Sequence, residues 1–356
     1  MQKTSWFLGI LLLLALIMGI VTVTNSPKEA PQRTIPVGAI LPLTGAVASI
    51  GETWKEGLAW RLTNATTTEG RIVLNIQDSH SDTKDAISAF EQVRVQHQAK
   101  IIFTLPSASA LALKPLAEQT RTLLWADVAH PAMTEASNFI LRHSNVTSKD
   151  APLMAAAFVE HGATSAAIFY EKSDFAQSYA DALAGLTRDK QFRLQQYVID
   201  NKATDFRSSI VKAKAEHVDA FLFVSTGPAA GILVKQAREL GFTGKLYSAN
   251  TFVLTPQAQA IAGAYAKGMY YQTYAGNEAF RQAFLKKFNK EPALLSFIAY
   301  TDGEILVHAI NATHSTDPRT LANYIKSLRT FTGTFETVEI HPSGDMIIPT
   351  ILKVWE

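Results

Sequence analysis

A chain of 356 residues, 47% hydrophobic and 18% charged, has more apolar material than one core ordinarily organises, so two lobes are expected. A formal net charge of +2, from 33 basic and 31 acidic residues, excludes the broad positive field of a nucleic-acid binder. The absence of cysteine excludes disulfides, thiolate metal sites, cysteine nucleophiles and lipid attachment through an N-terminal cysteine.

The chain opens with Lys3 and then a nearly unbroken apolar run from Trp6 to Val23. As a helix that run is about 27 Å long, close to the thickness of a bilayer core. Residues 1–24 therefore read as an export signal or an N-terminal membrane anchor. Val21-Thr-Val-Thr24 matches a small-x-small cleavage site poorly, which favours an anchor at residues 6–23 with Lys3 inside and the body outside the cytoplasmic membrane. Residues 25–34, with Pro27 and Pro31, form a linker, and folded structure is expected from Ile35.

Beyond the linker, short apolar runs alternate with segments of helical period. Strands are predicted at Val37–Leu41, Ile72–Gln77, Lys100–Thr104, Thr122–Ala126, Ala166–Tyr170, Ala220–Val224 and Lys245–Tyr247. Helices are predicted between them at Thr53–Asn64, Thr83–Gln98, Ser109–Thr120, Ala151–His161, Phe175–Lys190, Phe206–Glu216 and Ala229–Leu240, and later at Ala279–Asn289, Ser296–Asn311 and Arg319–Ser327. Runs such as Ile101-Ile-Phe103 and Phe221-Leu-Phe-Val224 are apolar on both faces, as central parallel strands must be. The fold class is α/β, with two doubly wound parallel-sheet lobes. The polar stretch Arg142–Ser148 separates the two series and is the first hinge candidate. A C-terminal pair, Phe335–Ile340 and Ile347–Val354, reads as a hairpin, with Pro349 placing its second strand at a sheet edge.

In open parallel sheets, ligands collect at the C-terminal ends of strands, where helix N-termini aim free N–H groups. Leu105-Pro-Ser-Ala-Ser109 is such a loop, and Ser107 is also a candidate helix cap. Pro42-Leu-Thr-Gly45 is a tight turn after the first strand. Ser209-Ile-Val-Lys212 spells a Ser-x-x-Lys sequence inside an amphipathic helix without the companions catalysis requires. His80 stands between Asp78 and Asp82, where Asp82 capping a helix from Thr83 explains the acid better than a metal does. Neither a dinucleotide fingerprint nor a Walker sequence occurs, so no cofactor is expected.

Ile35-Pro-Val-Gly-Ala-Ile-Leu-Pro-Leu-Thr-Gly45 with Gly51 and Gly57, Gln77-Asp-Ser-His-Ser-Asp82-Thr-Lys-Asp-Ala86, the serine loop 107–109 and Lys235-Gln-Ala-Arg-Glu-Leu-Gly241 together carry a resemblance. The chain resembles type I periplasmic binding proteins of the leucine/isoleucine/valine class, receptors that feed ABC importers. The resemblance implies three hinge crossings, the second near Met269–Tyr274 and the third near Arg329–Thr334. It also implies lobe one at 35–145 plus 275–330 and lobe two at 146–274 plus 331–356.

By the same resemblance the ligand-binding positions are Ile50, Ser107, Ala108, Ser109, Ala129, Phe175, Thr226 and Asn250. Ser107–Ser109 would hold a carboxylate. Asn250 stands where the family commonly has an acid for the ligand's ammonium, so a carboxylate or amide lacking that group is expected to fit at least as well as an amino acid. Asp127, Glu171 and Asp174 are the acids that can substitute. The implied function is an extracytoplasmic solute-binding protein that presents a small molecule to an ABC permease, with a membrane-anchored sensory domain of the same fold as the alternative. No nucleophile, base and orienting group converge in the sequence, so an enzyme is not expected.

Overall fold

Successive residues of one strand feed opposite cores, and this alternation organises the whole molecule. The structure is a computed structural model that describes residues 33–187 and 192–356. The expected export signal or anchor, and all but the last two residues of the linker, lie outside the described residues; among those described, no helix is long and apolar enough to cross a membrane.

The first sheet contains β1 (Thr34–Leu41), β2 (Thr66–Thr67), β3 (Gly70–Asp78), β4 (Ile101–Thr104), β5 (Leu123–Ala126), β6 (Ile140–Ser144) and β14 (Asp345–Ile347), in the order β14-β6-β5-β4-β1-β3-β2. The second contains β7 (Ser165–Glu171), β8 (Arg193–Ile199), β9 (Ala220–Val224), β10 (Lys245–Ser248), β11 (Tyr270–Tyr274) and β15 (Thr350–Val354), in the order β15-β11-β10-β9-β7-β8. A ribbon of β12 (Thr330–Thr332) and β13 (Thr337–Glu339) stands apart from both.

The helices are α1 (Ala48–Leu62), α2 (Thr83–Gln96), α3 (Ser107–Thr120), α4 (Thr147–Glu160), α5 (Asp174–Thr187), α6 (Arg207–Ala215), α7 (Pro228–Glu239), α8 (Pro256–Ala262), α9 (Glu278–Phe288), α10 (Leu294–Thr313) and α11 (Pro318–Ser327). Each sheet is covered on both faces. In the first lobe, Ile101 and Phe103 pack with Trp54, Trp125, Ile298 and Leu306, while Ile102 packs with Phe90, Val93, Leu113 and Leu124. In the second, Phe221 and Phe223 face Phe169, Leu233 and Val234, while Leu222 and Val224 face Phe158, Tyr179 and Tyr247. Near-continuous apolar strands are the consequence of burying both faces.

Local chemistry fixes the loops. Asp82 caps α2 as expected, its Oδ1 accepting from the Lys84 and Asp85 amides at 2.7 and 3.2 Å. Asp78 accepts from the Leu43 and Thr44 amides and the Thr44 hydroxyl, tying the turn after β1 to the end of β3. Gly57 is required where α1 crosses α10, because a Cβ there would sit 1.8 Å from the Ser296 carbonyl oxygen.

The structure corrects three expectations about where the chain changes sheet. Arg142–Ser144 belongs to β6, with Arg142 buried and its Nε donating to Asp345 at 2.8 Å, so the hinge candidate at 142–148 narrows to Asn145–Val146 before α4. Tyr270–Tyr274 is a strand of the second sheet, so the second crossing follows it, before α9. The C-terminal pair is not a hairpin. β13 pairs with β12, β14 runs parallel to β6, and β15 lies antiparallel to β11 at the edge of the second sheet. The third crossing is therefore Ile348–Pro349, not 329–334. The turn at His341–Gly344 does form, with Gly344 at φ +95°, but Asp345 is claimed by Arg142 and by the Thr134 hydroxyl. These are contacts more than 200 residues apart in sequence, and local pattern carries no signal for them.

Candidate ligand-binding cleft

Eight strands end at one cavity, six through the loops that follow them and β6 and β11 through their last residues, Ser144 and Tyr274. A space of about 150 Å³ lies between the lobes, and every βα loop around it follows the C-terminal end of a parallel strand. From the first lobe come Val47 and Ile50 after β1, Leu105–Ala108 after β4, and Asp127–Ala129 after β5. From the second come Glu171 and Ser173–Phe175 after β7, Thr226 after β9, and Asn250, Thr251 and Leu254 after β10. The lobes meet at the rim, where a Cβ on Gly227 would come within 3.3 Å of the Ala46 carbonyl oxygen.

The head of α3 is open to this cavity. Pro106 occupies the N-cap position and no side chain caps the helix, so Ser107 is the first helical residue rather than the cap. The first-turn amides have no partner within the helix by position, and the helix dipole adds partial positive charge there. Ile50, Leu105, Val128, Phe175, Leu254 and Leu295 make much of the remaining wall apolar.

The two walls carry buried acids in different states. On the second lobe, Glu171 is 3% exposed and accepts from Ser173 Oγ, Asn201 Nδ2, Ser225 Oγ, and the Thr226 amide and hydroxyl, at 2.8–3.1 Å. On the first lobe, Asp127 is 9% exposed and its Oδ2 has no hydrogen-bond partner. Burial raises the Asp127 pKa to about 7; the nearby Ser144 hydroxyl, His143 and Trp54 indole pull it partly back, and Asp302 pushes it up. Behind that wall, His143 Nδ1 and Asp302 Oδ1 are 2.6 Å apart. Burial opposes a charged imidazole, but the acids around it, Asp302 first and then Glu336 and Asp127, together raise the His143 pKa.

At the back of the cavity, a buried polar network ties the crossings together. Tyr274 OH donates to Asn145 Oδ1 at 2.5 Å, and Asn250 Nδ2 reaches Tyr274 OH at 3.1 Å and Asn145 Oδ1 at 3.3 Å. Asn145 Nδ2 donates to Asp150, which also accepts from the Thr350 hydroxyl at 2.7 Å. Burial raises the Asp150 pKa to about 6 against these two donors.

Of the eight expected positions, Ile50, Ser107, Ala108, Ala129, Phe175, Thr226 and Asn250 line the cavity; Ser109 does not. Two residues along a helix is a rotation of about 200°, which turns the 2% exposed Ser109 into the protein while Ser107 faces the cleft. Asn250 reaches the cavity, and its Nδ2 is already spent on Asn145 and Tyr274. All three substitute acids, Asp127, Glu171 and Asp174, line the cavity. Ser144, Asn145 and Tyr274 were not foreseen, the first two because they sit in a polar stretch read only as a hinge. Ser209 and Lys212 lie on α6, outside the cleft.

Comparison with known proteins agrees with this geometry. A family model described as "Periplasmic binding protein" matches residues 34–348. The Leu/Ile/Val-binding protein homolog 2 of Brucella abortus is 23% identical over 99% of this chain and 96% of its own. The leucine binding protein LivK of Thermotoga maritima superposes with a TM-score of 0.85 at 22% identity, covering 90% of this chain and 95% of that one. A solute binding protein of an ABC transporter from R. palustris, solved with benzoate, gives 0.82 at 16% identity, covering 91% and 94%. These relatives and neighbours are substrate-binding proteins, not enzymes. With its two parallel-sheet lobes and interlobe cleft, the chain has the fold of the leucine-binding protein it superposes on and belongs to the periplasmic binding protein family.

Proposed function

We propose that this protein is an extracytoplasmic receptor that closes its lobes over a small ligand with a carboxylate or amide and an apolar body, then presents it to an ABC permease. The observation that carries the reading is the uncapped head of α3 opening into an interlobe cavity whose wall is largely apolar. Ser107 and the amides of residues 107–109 would take the polar end by charge-assisted hydrogen bonds, and Ile50 and Phe175 would cover the apolar body. Closure would turn about the three crossings, with ligand contacts to both lobes favouring the closed state over the open one. The apolar run at residues 6–23 would hold the receptor at the cytoplasmic membrane.

A thermal-shift screen of amino acids, amides and aromatic carboxylates tests the reading. A true ligand raises the melting temperature by an amount that grows with the logarithm of its free concentration above Kd, and small-angle scattering with that ligand should show a smaller radius of gyration. A ligand that stabilises the protein and leaves the interlobe distance unchanged refutes closure. Cell fractionation tests the anchor, which a purely soluble mature form would sink.

A further inference from the structure

A second space, of about 810 Å³, lies beside the ligand cavity and is also lined from both lobes, by Thr53 and Phe297 of the first and Gln259 and Lys353 of the second. Among the described residues, Leu254 alone lines both spaces. On the first-lobe side the walls belong to successive residues at the head of α10, Leu295 for the ligand cavity and Leu294 for the second space. Leu254 stands half-buried in the turn after β10, and from there it packs against the first lobe's core cluster beside Ile50 and Leu294. Its turn is held in place. The Leu254 amide donates to the Asn250 carbonyl at 3.2 Å, Thr255 Oγ1 to the Thr251 carbonyl at 2.9 Å, and Gln259 Nε2 to the Val253 carbonyl at 2.8 Å. The wall shared by the two spaces is thus an apolar contact between the lobes, made by a leucine on a fixed turn.

We infer that Leu254 is the specificity-determining residue for ligand length: it ends the ligand cavity, so that the cleft takes a compact carboxylate or amide and excludes the same head group on an extended chain. The inference rests on the solute-binding reading above and names the residue that bounds its substrate class.

Volume decides the limit. An apolar cavity of about 150 Å³ holds a body the size of benzene, and the ligand cavity is of that size. With its head group at α3, a ligand gains about fourfold in affinity for each methylene it buries, until that room is full. The next methylene meets Leu254. Pushing that side chain aside breaks its contact with the first lobe, and packing a longer chain against it strains the wall. Cutting the side chain back to Cβ joins the cavity to the second space, where Val253, Leu294 and Phe297 offer apolar surface to the rest of the chain.

The test measures straight-chain carboxylates from butanoate to decanoate by calorimetry on the wild type, Leu254→Val and Leu254→Ala. In the wild type, affinity should rise by about fourfold per methylene, stop near hexanoate and then fall. In Leu254→Ala the rise should continue through octanoate, which should bind about tenfold more tightly than it binds the wild type. Leu254→Val should move the limit by less. The chain length at which the rise ends is the deciding readout, because a variant that merely loosens the cleft weakens every member and leaves that length where it was. A crystal structure of Leu254→Ala should show one continuous space. A wild-type rise that continues through decanoate, the same limit in all three proteins, or two spaces still separate in Leu254→Ala each overturns the inference, and the solute-binding reading stands as long as the short members bind. If no carboxylate binds any of the three proteins, both fall together.

Discussion

The two walls of the cleft carry buried carboxyl groups that differ in one respect. Glu171 on the second lobe is surrounded by hydroxyl and amide donors, whereas Asp127 on the first keeps an oxygen without a partner. Burial alone does not distinguish them, at 3% and 9% exposure. What separates them is satisfaction: the first acid accepts from the Ser225–Thr226 loop, and the second keeps a buried oxygen for which no partner meets hydrogen-bond geometry.

The largest effect should come from removing the satisfied acid. Glu171→Leu leaves the donors around it unpaired and should cost about 3–5 kcal/mol of stability, visible as a lower urea midpoint with an unchanged slope. A loss below 1 kcal/mol would erase the contrast between the walls. Next, Asp127→Asn should stabilise the ligand-free protein at alkaline pH. An acid whose folded pKa is raised from 3.8 to about 7 makes the folded state bind more protons than the unfolded state. Its stability contribution is therefore lost as pH rises from about 4 to 7, by an amount on the order of 4 kcal/mol at most. Replacing it should give a gain of about 1–3 kcal/mol at pH 8 and almost none at pH 4, measured by denaturant unfolding at both values. A destabilised variant at pH 8 would mean that Asp127 is already paired. The smallest effects sharpen the anion end. Ser107→Ala should weaken binding of a carboxylate by about 1.5–3 kcal/mol, and Ser109→Ala by less than about 0.5 kcal/mol, because only Ser107 faces the cavity. Equal losses by calorimetry would place both hydroxyls in the site.

Most of the first lobe's framework was legible because its signals are local. Ile101-Ile-Phe103 is apolar on both faces and can only be a central strand, and Asp82 before Thr83 announced its helix by cap chemistry. β6 and β11 were missed as strands because both carry polar residues, Arg142-His-Ser144 and Gln272-Thr273. Those residues are buried, and Arg142, His143 and Gln272 are satisfied by partners distant in sequence, so period and composition describe them as loop. Ser109 parts from Ser107 for a related reason: sequence spacing gives adjacency along the chain, and only the rotation of the helix decides which hydroxyl lines the cavity.

The sequence by itself determined the α/β class, two series of strands and helices, and the loops at which a ligand should be sought, because hydrophobic period, capping and turn chemistry act over a few residues. Only the tertiary structure decided that β14 returns to the first sheet, that Asn250 is hydrogen-bonded to Asn145 and Tyr274, and that Asp127 is buried with one oxygen lacking a partner. Those facts depend on which side chains meet across 24 to more than 200 residues of chain, and a hydrogen bond left unmade is visible only when every neighbour is in place.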